Sequence, residues 1–280
     1  MKFRKSVLIP ASVVADSPDL AHMTFKIGLI GRALAIFRVS RVCIYLDDDP
    51  YVRNQVRERE LVKLLLSYME TPQYLRKLLF PKRKELACAG MLQPLRTPHH
   101  PSQDEKNTEG SFREGAVIET SGGKSILDIG LQQKGFFSGV LKRGERVTVR
   151  LGKPKGRDLI EVVPVKPDET GEYWGYEVTT ADGLKEGLEK LDGDVNIGTS
   201  RYGRNLYEGI RGIKEGRKSV TIAFGGPYAG LQEICRRQGI KASEVFDVMI
   251  NAVPGQGTRT VRTEEAIIIT LGIVNALTGE

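Results

Sequence analysis

Helix-period and strand-sized hydrophobic patterns alternate at both ends of this chain and stop between them, and that interruption constrains the fold more than any other feature. Val7 to Ile9 reads as a short buried strand, and Ser17-Pro18 then supplies an N-cap and a proline suited to the first helical position. Ile27, Ile30, Leu34 and Phe37 recur at helical spacing and predict one apolar stripe. Arg41 to Leu46 is a second strand, ended by the turn cluster Asp47-Asp48-Asp49-Pro50, and Leu61, Leu64, Leu65 and Tyr68 mark a helix over Val56 to Met69. Strand, helix, strand, helix predicts a parallel sheet.

The pattern breaks after about Pro81, where Pro94, Pro98, Pro101 and a polar tract to Arg113 read as a connector. Short strand candidates follow at Ala116 to Thr120, Ser125 to Leu131, Arg146 to Leu151 and Leu159 to Val165, separated by Gly and Lys turns. They suit a small closed barrel of the oligonucleotide-binding type (OB-like), and equally an antiparallel meander. Helical spacing returns over Ala181 to Leu191, with strand candidates at Val195 to Ile197, Ser219 to Phe224 and Val245 to Asn251. Thr263 to Leu277 is apolar almost all round and is expected to be buried on several sides. The reading is an α/β domain in two halves, 1–84 and 171–280, interrupted by a β insertion at 85–170.

Composition narrows the function classes. Of 280 residues, 40% are hydrophobic and 28% charged, which excludes wholesale disorder. Lys+Arg 42 against Asp+Glu 35 leaves +7, a surplus suited to phosphate-bearing partners or an anionic membrane. No apolar stretch approaches the roughly 20 residues that span a bilayer, so no membrane role is expected. The apolar run after Lys5 is cut by Pro10, which argues against a secretory signal. Cys43, Cys88 and Cys235 form no CxxC pair, which favours a reducing, cytoplasmic setting over a disulfide framework or a zinc knuckle. His99 and His100 lack a Cys or carboxylate at ligand spacing, so no metal is expected.

Two glycine-rich loops follow strand candidates, Phe224 to Gly230 and Ile250 to Arg259. Glycine lets main-chain N–H and C=O groups approach a ligand at the carboxyl edge of a parallel sheet, although glycines also simply make turns. Gly255-Gln256-Gly257 starts like a dinucleotide fingerprint, but Thr260 stands at its third glycine position and no strand with a ribose-binding acid follows. A P-loop and a serine-hydrolase elbow are also missing. Gly198 to Asn205 carries hydroxyls, the guanidinium groups of Arg201 and Arg204 and the phenol of Tyr202, suited to holding a phosphate or a developing anion, or to an exposed basic turn. Thr263 is placed to N-cap the last helix, with Glu264 and Glu265 complementing its dipole. In the insertion, Lys142, Arg143, Arg146, Lys153, Lys155 and Arg157 belong to a run whose acids are Asp128 and Glu145 alone. On a barrel they would form a phosphate-attracting face, with Phe136 and Phe137 either stacking on bases or filling the core.

Thr71 to Pro81, Ala89 to His100, Phe112 to Gly115, Ile197 to Gly203, Phe224 to Leu231 and above all Ile250 to Ile267 (INAVPGQGTRTVRTEEAI) resemble the SPOUT class of S-adenosyl-L-methionine-dependent RNA methyltransferases, in the subfamily with an inserted OB-like barrel. The resemblance implies a trefoil-knotted α/β domain and a homodimer with active sites at or near its interface. It implies that the cofactor lies among Thr199 and Ser200, the loop Phe224, Gly225, Gly226 and Pro227, and the loop Ile250, Asn251, Val253, Gly255, Gln256, Gly257 and Thr258. The implied reaction methylates a uridine ring nitrogen, N3, in large-subunit ribosomal RNA. The family pattern Gly-Thr-Ser-Glu-Arg-Gly meets Arg201 and Tyr202 here, so Arg201 and Arg204 both stand as candidates to stabilise the imide anion. Asn251 would orient the base edge, and Tyr202 would stack or accept a proton. The competing reading is a non-catalytic RNA-binding or assembly protein on the same dimeric scaffold.

Overall fold

The computed structural model describes residues 3–101, 108–211 and 217–278. The chain divides into two compact units, one of Met1–Ser67, Glu85–Pro94 and Tyr176–Glu280, the other of Tyr68–Lys84 and Leu95–Gly175.

The first unit is built on a six-stranded sheet of β1 (Arg4–Pro10), β2 (Val39–Tyr45), β8 (Glu177–Ala181), β9 (Asn196–Asn205), β10 (Ser219–Ala223) and β11 (Val248–Asn251), in the order β11-β9-β10-β1-β2-β8. Every strand pair in it is parallel, as the alternating pattern predicts. A parallel sheet is covered on both faces, which is why Val7, Leu8 and Ile9 are all fully buried and why this strand reads as a continuous apolar run. One face packs Leu8, Cys43, Tyr45 and Ala223 against Leu184, Leu188 and Leu191 of α4 (Leu184–Leu191) and Leu231 and Ile234 of α6 (Leu231–Arg237). Alternation along β1 and β2 sends Val7, Ile9, Val42 and Ile44 to the opposite face. Helices α1 (Leu20–Ile36) and α8 (Thr263–Thr278) also belong to this unit and pack on each other.

Two local expectations change. The N-cap of α1 is Asp19, whose carboxylate accepts from the His22 amide at 2.9 Å, rather than Ser17. Strand β8 was hidden because Glu177, Thr179 and Thr180 give a sheet-edge strand little apolar signal. The last helix buries Thr263, Ile267, Thr270, Leu271 and Val274, in keeping with an element covered on several sides, and leaves Ile268 39% exposed.

In the second unit, β3 (Phe112–Ser121), β4 (Lys124–Asp128), β5 (Lys134–Phe137), β6 (Arg146–Lys155) and β7 (Leu159–Pro164) close a barrel in the order β3-β4-β5-β7-β6. The β5–β7 pair is parallel and the others are antiparallel, so the meander alternative is excluded and the OB-like barrel holds. Val117, Leu127, Ile129, Val149, Leu151, Ile160 and Val162 fill it. The proline-rich connector is less solvated than its composition implies: Leu95, Thr97 and His99 are buried in this unit. No helix among the described residues is long and apolar enough to cross a membrane.

Candidate active site

The carboxyl ends of β10 and β11 and the middle of β9 open on a cavity of about 710 Å³. Its walls are Thr199 to Tyr202, the loop from Phe224 into α6, the segment from Ile250 to the first turns of α8, and Asp16 from beyond β1.

A slip in strand pairing makes the first wall. Strand β11 pairs with β9 at Met249↔Gly198 and resumes at Ile250↔Arg204, so residues 199–203 have no partner in β11 and bow out of the ladder. The Thr199 hydroxyl donates to the Ala223 carbonyl at 2.9 Å and fixes the base of this bulge. Asn251 ties it to the next loop: its amide nitrogen donates to the Arg201 carbonyl at 2.8 Å, and its amide oxygen accepts from the Val253 N–H at 2.9 Å. Its amide is thus used in holding two walls together. Arg201 donates to the Arg259 carbonyl at 3.4 Å, and its guanidinium lies 4.8 Å from the Tyr202 ring centroid.

The second wall needs its glycines. A Cβ on Gly226 would stand 2.4 Å from the Ser12 hydroxyl, and one on Gly225 2.9 Å from the Ala229 carbonyl. Behind the loop, Asp47 accepts from the Ser12 hydroxyl at 2.7 Å and from the Ser12 N–H at 3.2 Å. Burial raises the Asp47 carboxyl to about 6, against the lowering effect of those donors. Thr263, the first residue of α8, donates its hydroxyl to the Gly225 carbonyl at 2.9 Å, so the residue expected to cap the helix clamps the glycine loop instead.

Arg201, Arg236, Arg259 and Arg262 face Asp16 and Glu233 around the cavity, an excess of positive charge. Hydrogen bonds from Arg236, and then Arg237, hold the Glu233 carboxyl down at about 2. Asp16 pairs with the buried Lys26, which also lies 3.3 Å from a Glu264 carboxylate oxygen. The Thr270 hydroxyl, fully buried and lining the cavity, has no hydrogen-bond partner among the described residues.

Of the positions singled out in the sequence, Thr199, Ser200, Arg201, Tyr202, Phe224, Gly225, Gly226, Pro227, Ile250, Asn251, Val253 and Gln256 share this cavity. Arg204, Gly255, Gly257 and Thr258 are not among its lining residues. Asp16, Thr263 and Thr270 were not singled out for a ligand. The available signal for Asp16 was its place just past the carboxyl end of the first strand.

On the barrel, Lys142, Arg143, Lys153, Lys155 and Arg157 are exposed. Arg146 departs from the expected phosphate-binding face, because its guanidinium is taken up by the Glu70 and Glu114 carboxylates. Glu114 also accepts from the Thr148 hydroxyl and the Trp174 indole N–H, each at 2.6 Å. Phe136 is buried with the Lys155 ammonium 3.7 Å from its ring centroid, so it packs rather than stacks on a base. His99 and His100 both face the Glu70 carbonyl, and no group of three or more potential metal-ligating side chains occurs among the described residues.

The sequence as a whole has relatives among known proteins. A family profile described as "Putative RNA methyltransferase" matches residues 4–274. A human protein named 28S rRNA (uridine-N(3))-methyltransferase is 36% identical over 293 residues, covering 95% of this chain and 76% of its own length. Its mouse counterpart is 34% identical over 293 residues, covering 95% and 74%. An uncharacterized protein of Halobacterium salinarum is 34% identical over 296 residues, covering 96% of this chain and 97% of that one. A solved chain titled "Crystal structure of an hypothetical protein" aligns over 99% of this chain and 67% of its own, with 11% identity and a TM-score of 0.41. By the extent of the profile match and of the match to these relatives, the chain belongs to the RNA methyltransferase family.

Proposed function

We propose that the protein transfers a methyl group from S-adenosyl-L-methionine to N3 of a uridine in large-subunit ribosomal RNA. The observation that carries the reading is the cavity itself: about 710 Å³, at the carboxyl edge of a parallel sheet and walled by glycine loops, in a chain of the RNA methyltransferase family. The residues present fit the cofactor. Loops too tight for a Cβ at Gly225 or Gly226 leave their main chain to line the cavity, and Thr270 offers it an unused buried hydroxyl.

When bound, the cofactor supplies an electrophilic methyl group on a sulfonium, and in-line displacement needs little from the protein beyond alignment. The bulge at Thr199 to Tyr202, braced by Asn251, presents Arg201 to the acceptor. The imide loses its proton as the N–C bond forms. We assign Arg201 to the negative charge spread over the flanking carbonyl oxygens, and Asp16, the lining carboxylate that no arginine engages, to the departing proton. Arg204, outside the cavity lining, is the weaker of the two arginine candidates. The exposed Lys142, Arg143, Lys153, Lys155 and Arg157 support a barrel that holds the RNA backbone. The exposed Ile268 on α8 supports a homodimer packed through that helix.

The test is incubation with methyl-labelled S-adenosyl-L-methionine and unmodified large-subunit RNA, followed by nucleoside analysis. Label in 3-methyluridine is expected. Cofactor binding without transfer would refute the substrate, and absence of cofactor binding would refute the reading as a whole.

A further inference from the structure

The parallel order β10-β1-β2 brings three carboxyl-end segments together, and two of them end in exposed tyrosines. Tyr51, in the turn after β2, is 77% exposed, and Tyr228, in the glycine loop after β10, is 48% exposed. Their ring centroids lie 5.7 Å apart at an interplanar angle of 59°. The Tyr228 ring is held by its hydroxyl, and Tyr51 is held through its main chain. The Tyr228 hydroxyl donates to the Ala15 carbonyl, in the segment after β1, at 3.1 Å. The Tyr51 N–H donates to the Asp49 carboxylate at 2.9 Å, and buried Asp49 is anchored by Arg237 at 3.2 Å.

Exposing that much aromatic surface on a braced turn gains nothing for folding, since burial is what aromatic rings contribute to stability. Tyr228 lines the cavity, so the pair continues from the cavity wall to the surface, beside an excess of arginines. Exposed rings on an anchored backbone next to positive charge are what unpaired nucleobases and their phosphates require, because every base has a π-face and stacking is tolerant of sequence.

From this we infer that Tyr51 and Tyr228 form a stacking platform for an unpaired base of single-stranded RNA next to the nucleotide that enters the cavity. The inference rests on the RNA-methylating reading and names the residues that would hold the strand at that same site.

The test is the affinity of the full-length protein for a fluorescently labelled, single-stranded, uridine-containing oligoribonucleotide, read by anisotropy, alongside its affinity for S-adenosyl-L-methionine. Tyr51→Ala is expected to weaken RNA binding about tenfold, with Tyr51→Trp retaining it. Both variants are expected to keep the salt slope, since no charge is removed, and to leave cofactor affinity unchanged. Tyr228→Phe, which keeps the ring and frees it from Ala15, is expected to lose less than Tyr228→Ala. RNA affinity unchanged in Tyr51→Ala, or a loss confined to cofactor binding, would overturn the platform, as would failure of the wild-type protein to bind the strand. Because anisotropy reads binding without methyl transfer, wild-type protein that binds the strand but transfers no methyl would refute the catalytic reading alone.

Discussion

Single side chains decide how charge is handled in both units. Arg146 is the clearest case: burial would raise the Glu70 carboxyl, yet Arg146 and His99 bring it down to about 2. Removing the guanidinium strands two buried carboxylates, so Arg146→Ala is expected to destabilise the barrel unit by about 3–5 kcal/mol, measured by denaturant unfolding. Glu58 has the opposite sign. Burial, with repulsion from Asp47 behind it, raises its carboxyl from the ordinary 4.5 to about 7, and one of its oxygens has no hydrogen-bond partner among the described residues. The folded chain therefore holds this proton more tightly than the unfolded chain does. Its stabilising contribution is complete below pH 4.5 and is lost as pH rises towards 7. Glu58→Gln is expected to raise stability at pH 8 by about 1–2 kcal/mol, a figure reduced for partial solvent screening, with the gain absent near pH 4. At the cavity, Asp16→Asn is expected to lower kcat about 100-fold with little change in cofactor affinity, checked by single-turnover transfer beside calorimetry.

Elements matter where they clamp one another. Gly226→Ala drives a methyl group to 2.4 Å from the Ser12 hydroxyl that Asp47 holds, so the loop must move. Cofactor affinity is expected to fall at least about tenfold by calorimetry, the displacement forfeiting on the order of 1.4 kcal/mol of contacts. Thr263 works from the other side, its hydroxyl tying the start of α8 to the Gly225 carbonyl. The position of this threonine before an apolar helix was legible, and its role was not, because capping and clamping draw on the same hydroxyl and only the fold supplies the second acceptor. The bulge in β9 is likewise silent in the sequence: Gly198 to Gly203 looks like a loop after a short strand, whereas Arg204 and Asn205 rejoin the sheet.

For the molecule as a whole, the +7 excess is a statement about partners rather than about fold. With Arg146 neutralised by Glu70 and Glu114, the exposed cations of the predicted phosphate-binding face are Lys142, Arg143, Lys153, Lys155 and Arg157. Replacing Lys142 and Arg143 together by alanine is expected to weaken RNA binding and to reduce the slope of log K against log salt by about 2, measured across a salt series. An unchanged slope would assign that face a structural role.

The linear order of residues was enough to determine the alternating α/β halves and the β insertion between them, because buried strands, helical stripes and glycine turns each leave a periodic or local mark. The edge strand β8 and the closure of the barrel through the parallel β5–β7 pair were instead decided by strand pairing. Residue order also marked the three cavity loops, although for different reasons: a Cβ at Gly198, Gly203, Gly225 or Gly226 would meet a neighbour within 3.0 Å, whereas Gly255 has open space around it and stands at a φ of +68° in a turn. Tertiary structure alone decided which polar groups remain available. Arg146 and Asn251 are spent on partners tens of residues away, while Asp16, Tyr51 and Tyr228 gain their setting from strands adjacent in space and distant in sequence. Availability of a polar side chain depends on what long-range folding places beside it, and no local pattern records that.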